Sequence, residues 1–236
     1  MNGDERYVVV GLGGVGGIVL RNLVSFLRHR GKPSVVYAVD GDSFEERNRD
    51  RQFFGRLGPK AEVLAEELCA DYGDGVSILP VPHYLTPQRA RYLIGEGDVV
   101  FCTPDNHATR RAVAARCQRL RDVALFSGGN DGVEDGKTGA CGNVQIHLRV
   151  DGRNATNPIT TFHPEIAKPA DRLPTQRGCG ELVASAPQLL FANLAVASAL
   201  LGAFYAWRQQ KLDYEEAYFD LLSGRCVPVK RAVRAP

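Results

Sequence analysis

The segment 11–17 reads GLGGVGG, so Gly11, Gly13 and Gly16 satisfy G-x-G-x-x-G between an apolar run at 7–10 and an amphipathic stretch at 18–30. Glycines there allow a tight turn, and backbone N–H groups at the start of the following helix can then approach phosphate oxygens. A nucleotide is the expected ligand. Asp40 closes the next apolar run, 24 positions beyond Gly16, where a carboxylate accepts hydrogen bonds from ribose hydroxyls. These features alone fit a nicotinamide or flavin oxidoreductase as well as an ATP enzyme. The next stretch, DGDSFEERNRDRQFF at 40–54 followed by Gly58, Pro59, Lys60 and Ala61, separates the two. Hydride transfer has little use for Arg51 and Lys60, whereas attack on the α-phosphate of ATP needs cations that neutralise charge building on the phosphate oxygens.

The elements that must hold these groups follow from periodicity. Strands are expected at 7–10, 34–39, 76–81 and 98–102, and helices at 18–30, 61–68, 87–94 and 108–121. Such alternation implies an α/β fold with a doubly wound, Rossmann-like, mostly parallel sheet. The alternation weakens after a strand at 123–127. A glycine-rich connection at 128–142 precedes a strand at 143–150, and 151–180, with four prolines and no periodicity, reads as a long crossover loop. A greasy helix at 186–208 and antiparallel strands at 217–222 and 226–230 close the chain. We therefore expect a single domain over 1–236, with a nucleotide-binding half at 7–127 and a second half at 128–236 that includes the long loop.

Composition narrows the function classes. Lys and Arg number 29 against 27 Asp and Glu, a formal net charge of +2, too balanced for a protein that coats nucleic acid or anionic lipid. Neither a nucleic acid nor a membrane is an expected partner. The six cysteines include no Cys-x-x-Cys pair, so no zinc is expected, and the histidines show no metal-ligand spacing. The opening residues lack the features of a signal peptide, and a cytoplasmic location is expected.

The motifs together resemble the ThiF/MoeB/HesA family, the adenylating half of ubiquitin-activating enzymes. The family pattern D-x-D-x-x-x-x-x-N-x-x-R-Q is met at Asp40, Asp42, Asn48, Arg51 and Gln52, with Gly58, Lys60 and Ala61 beyond it. The run FCTPDNHATR at 101–110 is similar to the family's C-T-D-N-x-x-x-R with Pro104 added. The resemblance implies ATP and Mg²⁺ as cofactors. It lays Gly11, Gly13, Gly14 and Gly16 along the nucleotide, with Asp40 and its neighbour Asp42 at the ribose end. Asn48, Arg51 and Lys60 would reach the phosphates, Gln52 would support Arg51, and Asp105 would hold the metal. A blander role for Asp105, as the cap of the helix that follows, is compatible with this.

The resemblance also implies a partner, a ubiquitin-like or sulfur-carrier protein with a C-terminal glycine, and in some pathways a conjugating enzyme downstream. Its activators with a thiol in the crossover loop resemble this chain at Cys179, which precedes Pro187 and the greasy helix. A glycine-flanked thiolate beside Arg177 would take the acyl group as a thioester or acyl disulfide. Cys141 is the runner-up thiol, Cys69, Cys102 and Cys117 are expected as buried filler, and His163 is a weak candidate to assist Cys179. Missing from the family pattern are an N-terminal arm, paired zinc cysteines and a C-terminal annex. Without the arm a homodimer that shares sites is in doubt, although the sheet and greasy helix remain available for pairing. Alternatives are adenylation of a ribosomal peptide without a thiol intermediate and, from a different class, an NAD- or FAD-dependent oxidoreductase.

Overall fold

The computed structural model describes residues 4–49, 52–72, 75–133, 138–176 and 189–232. Along the chain run β1 (Glu5–Val10), α1 (Gly14–Arg30), β2 (Ser34–Val39), β3 (Ser43–Phe44), β4 (Gly58–Pro59), α2 (Lys60–Tyr72), β5 (Val76–Val81), α3 (Pro87–Leu93), β6 (Val99–Cys102) and α4 (His107–Cys117). They are followed by β7 (Val123–Asn130), β8 (Cys141–Val150), β9 (Arg153–Asn154), α5 (Pro164–Ala167), α6 (Leu190–Arg208), β10 (Glu216–Asp220) and β11 (Arg225–Val229). The main sheet has the order β11-β10-β8-β7-β6-β1-β2-β5, and β9 pairs with β8. The five strands from β7 to β5 are parallel, and β8, β10 and β11 add antiparallel neighbours beyond β7.

Parallel strands are buried on both faces, which is why 7–10 is apolar without a break. Tyr7 and Val9 pack into the core beneath α1, α2 and α6, while Val8 and Val10 face the core beneath α3 and α4. The chain winds from β1 through β2 to β5, then returns past β1 to β6, so the direction of winding reverses between β1 and β6. Ligands of open α/β sheets bind outside the carboxyl ends of the strands at that crevice.

Several boundaries differ from the sequence expectation. α4 stops at Cys117, and α2 extends to Tyr72. β7 continues through Gly128, Gly129 and Asn130, because these residues pair with Val144, Asn143 and Gly142 of β8. Ladder hydrogen bonds there outweigh the poor strand propensity of glycine. The sheet thus crosses residue 128 without interruption. The crossing segment holds β9, one turn of α5 and a 3-10 turn at Pro174–Gln176, all too short to leave a periodicity. The greasy helix is described from Leu190, and residues 177–188 lie outside the described residues.

Candidate active site

The glycine turn leaves β1 with Gly11 in the left-handed region at φ +84°. A side chain there would press into the backbone of Thr103 and Pro104, and one at Gly16 would overlap the Gly11 carbonyl oxygen. The Thr103 hydroxyl donates to that carbonyl at 2.8 Å and to Val10 O at 3.1 Å, tying the exit of β6 to the turn. Gly13 caps α1 with no side chain, and the first turn of α1 contains no acid. This leaves the positive end of a 17-residue helix facing the crevice.

Asp40 follows β2 and is buried. Its Oδ2 accepts from Leu12 N at 2.5 Å and its Oδ1 from Asp42 N at 2.7 Å. Burial pushes its carboxyl up to about 6 against the pull of Lys60, with Asp42 adding to the rise. In this structure Asp40 braces the turn, and each oxygen keeps a second lone pair for a further donor. Lys60 opens α2, is itself buried, and donates from Nζ to Asp42 Oδ2 at 3.3 Å. Tyr84 donates to the other Asp42 oxygen. A buried ammonium close to two carboxylates just past β2 is a cation that can also serve the anionic oxygens of a ligand.

Asn48 is buried, and its Oδ1 accepts from Glu45 N at 2.9 Å, so it shapes the loop after β3. The Gln52 carboxamide faces Gly13, and its Oε1 is buried without a hydrogen-bond partner among the described residues. Gln52 therefore belongs to the wall of the glycine turn in its own right. Arg51, expected to contact phosphate, lies outside the described residues.

Asp105 stands exposed just past the exit of β6 and makes no hydrogen bond or ion pair among the described residues. It is not the cap of α4. Asn106 takes that role, its Oδ1 accepting from Thr109 N at 2.8 Å. Asp171 from the crossing segment accepts from His107 N at 2.7 Å and Ala108 N at 2.8 Å, fastening that segment beside Asp105. No cluster of three or more His, Cys, Asp or Glu suited to a metal occurs among the described residues. Mg²⁺ usually takes only one or two carboxylates together with phosphate oxygens and water, so a single exposed aspartate fits it.

Sequence reasoning gave no role to Arg110, Asn130 or Asn193. The buried Arg110 donates to Pro104 O, Ser127 Oγ and Gly128 O at 3.1, 2.9 and 2.8 Å, fixing the backbone that presents Asp105. Its place in the FCTPDNHATR run was the available signal.

Cys179 lies outside the described residues. Cys102 and Cys117 are buried as expected, and burial pushes the Cys102 thiol up to about 11. Cys69 is exposed, contrary to expectation, because it falls on the solvent side of α2. Cys141 is exposed where β8 begins, and partial desolvation with Asp220 and Asp131 raises its thiol, which disfavours the thiolate. His163 is buried between Glu216 (Nε2 to Oε1, 2.9 Å) and Glu165 (Nδ1 to Oε1, 3.0 Å) and serves to anchor the crossing segment.

Solved structures share this architecture. Selenomethionine PaaA superposes with a TM-score of 0.66 at 14% identity, covering 96% of this chain and 64% of that one. E. coli MccB with AMPCPP and selenomethionine MccA gives 0.66 at 14%, covering 97% and 64%, and E. coli MccB with ATP gives 0.66 at 14%, covering 96% and 63%. At this identity the likeness is one of fold, and the chain spans a little under two thirds of the length of these proteins. No curated protein matches the sequence. The sequence model of the ThiF family matches residues 3–164, more than half of the chain, and on that match the protein belongs to the ThiF family.

Proposed function

We propose that the protein is an ATP-dependent adenylyltransferase that activates the C-terminal carboxylate of a peptide or small protein. The observation that carries this reading is the meeting, along one sheet edge, of the uncapped start of α1 with Asp40, Lys60 and Asp105. Family membership supports the same chemistry and leaves the hydride-transfer reading without support. A substrate carboxylate oxygen attacks the α-phosphorus, the bond from that phosphorus to the bridging oxygen breaks, and pyrophosphate departs. The N–H groups of α1, Lys60 and Arg51 offset the charge that builds on the oxygens. Asp105 would hold Mg²⁺, which supplies further charge neutralisation when bound.

For the substrate, the family resemblance supports a ubiquitin-like or sulfur-carrier protein, with the acyl group passing from AMP to Cys179. The fold likeness to E. coli MccB, described as a Microcin C7 biosynthetic enzyme in complex with N-formylated MccA, favours a second reading: adenylation of a ribosomal peptide with no thiol intermediate. The test is carboxylate-dependent ATP/pyrophosphate exchange. Lys60→Ala, Arg51→Ala and Asp105→Ala are each expected to lower it at least about 100-fold with the fold retained by circular dichroism; near-wild-type exchange in all three would refute the assignment. Cys179→Ala should retain exchange and lose any covalent substrate adduct on a non-reducing gel, and an adduct that persists would remove Cys179 from the reaction.

A further inference from the structure

Two carboxamides have neither side-chain atom hydrogen-bonded among the described residues, one beside the start of α1 and one at the tip of β7. Asn193, in the first turn of α6, is fully buried, and neither its Oδ1 nor its Nδ2 has a partner among the described residues. Its amide occupies the space that a side chain at Gly14 would fill, against the start of α1. Asn130 ends β7, and both of its side-chain polar atoms are likewise buried and without a partner among the described residues. Alternation along β7 directs it toward the same helix. Phe126 packs on Phe204 and Trp207 of α6, and a side chain at Gly128 would meet Val196 Cγ1 at 2.9 Å. Asn130 is the next residue on that face, and Asn193 lies one helical turn before Val196. Native proteins leave few such groups unsatisfied, and each exception calls for a reason.

The ligand class follows from chemistry and position. A phosphate offers only acceptors and would be met by donors, whereas a carboxamide carries one acceptor and a pair of donors, the complement of a peptide group. Along the carboxyl edge the order is Asp40 after β2, the glycine turn after β1, Asp105 after β6 and Asn130 at β7. Adjacent strands lie about 4.8 Å apart. Asn130 thus stands at the strand next to the one that presents Asp105, three strands from Asp40.

We propose that Asn130 and Asn193 clamp the main chain of the last residues of the carboxylate substrate and so position its terminus for attack. The substrate is thereby recognised as an extended peptide tail through its backbone groups. This inference rests on the adenylation reading above. The test is ATP/pyrophosphate exchange with a pool of hexapeptides of randomised sequence bearing free C-terminal carboxylates, run on wild type, Asn130→Leu and Asn193→Leu. The peptide concentration for half-maximal exchange should rise roughly fivefold to tenfold in each variant, as expected for the loss of one or two hydrogen bonds. The KM for ATP should stay within about twofold, and the thermal midpoint should not fall, since no internal hydrogen bond is lost.

An unchanged peptide KM overturns the clamp. A rise in the KM for ATP instead assigns the amides to the nucleotide and also overturns it. Should a leucine variant not fold, Asn130→Ala and Asn193→Ala give the same kinetic readout. A midpoint lowered by more than about 5 °C in leucine and alanine variants alike makes the amides structural. Wild-type protein that exchanges with ATP and no peptide in the pool defeats the adenylation reading, and the clamp with it.

Discussion

Asp40 shows how one side chain can serve two demands. Its carboxyl is raised to about 6, chiefly by burial, with Lys60 opposing and Asp42 reinforcing the shift. The folded chain therefore favours the protonated form more than the unfolded chain does, and stability declines as pH rises from about 4 toward 6. If Asp40 meets the ribose, as the proposed function has it, ligand binding has the opposite sign, because an ionised carboxylate is the stronger acceptor for hydroxyls. Adenosine, which has no phosphate to titrate, is expected to bind roughly threefold to tenfold more weakly at pH 5.5 than at pH 7.5. Calorimetric titration of wild type and Asp40→Ala checks this, and a slope that survives the substitution would assign the titration elsewhere. Asp40 was legible in the sequence because it is charged and ends an apolar run. Asn193 was not, since one carboxamide in an apolar helix carries no pattern, and only packing reveals that it has no hydrogen-bond partner among the described residues. The solvent side of α2 that exposes Cys69 was equally hidden.

Among the elements, the turn between β1 and α1 is the least tolerant of change. A methyl group at Gly16 would overlap the Gly11 carbonyl oxygen and come within 2.6 Å of Thr103 Oγ1, and neither is the end of a long flexible side chain. Gly16→Ala should destabilise the protein by at least about 3 kcal/mol in urea unfolding, whereas Gly31→Ala, at the open end of α1, should cost only about 1 kcal/mol through its positive φ. The glycine spacing and the apolar run at 7–10 made this strand, turn and helix readable, because local chemistry dictates each of them. The far end of β7 was not readable, because its glycines become strand only by pairing with β8. Such a decision is made by distant residues.

Across the whole molecule, the crossing segment is tied to the sheet by a buried charge cluster. His163 lies between Glu216 and Glu165, while Glu216 also accepts from Arg231 at 2.7 Å and Tyr218 at 2.8 Å. Burial pulls the imidazole down, but the two carboxylates outweigh it and hold it protonated above its usual range. Its contribution to stability is full below about pH 6.5 and is lost as pH rises through the raised value. Urea unfolding should show wild type losing stability between pH 6 and the alkaline side of the transition, and His163→Gln should flatten that slope. The doubly wound parallel sheet was legible from the alternation of strands and helices, and the antiparallel strands at its C-terminal side from the closing pair of strand-like runs, whereas this cluster joins residues more than 50 positions apart and leaves no local mark. The guanidinium of Arg110 completes the picture. With Pro104, Ser127 and Gly128 all gripped by one planar group, the exits of two neighbouring strands behave as a single rigid bracket. Any force that shifts the tip of β7 is felt at Asp105 without passing through the core.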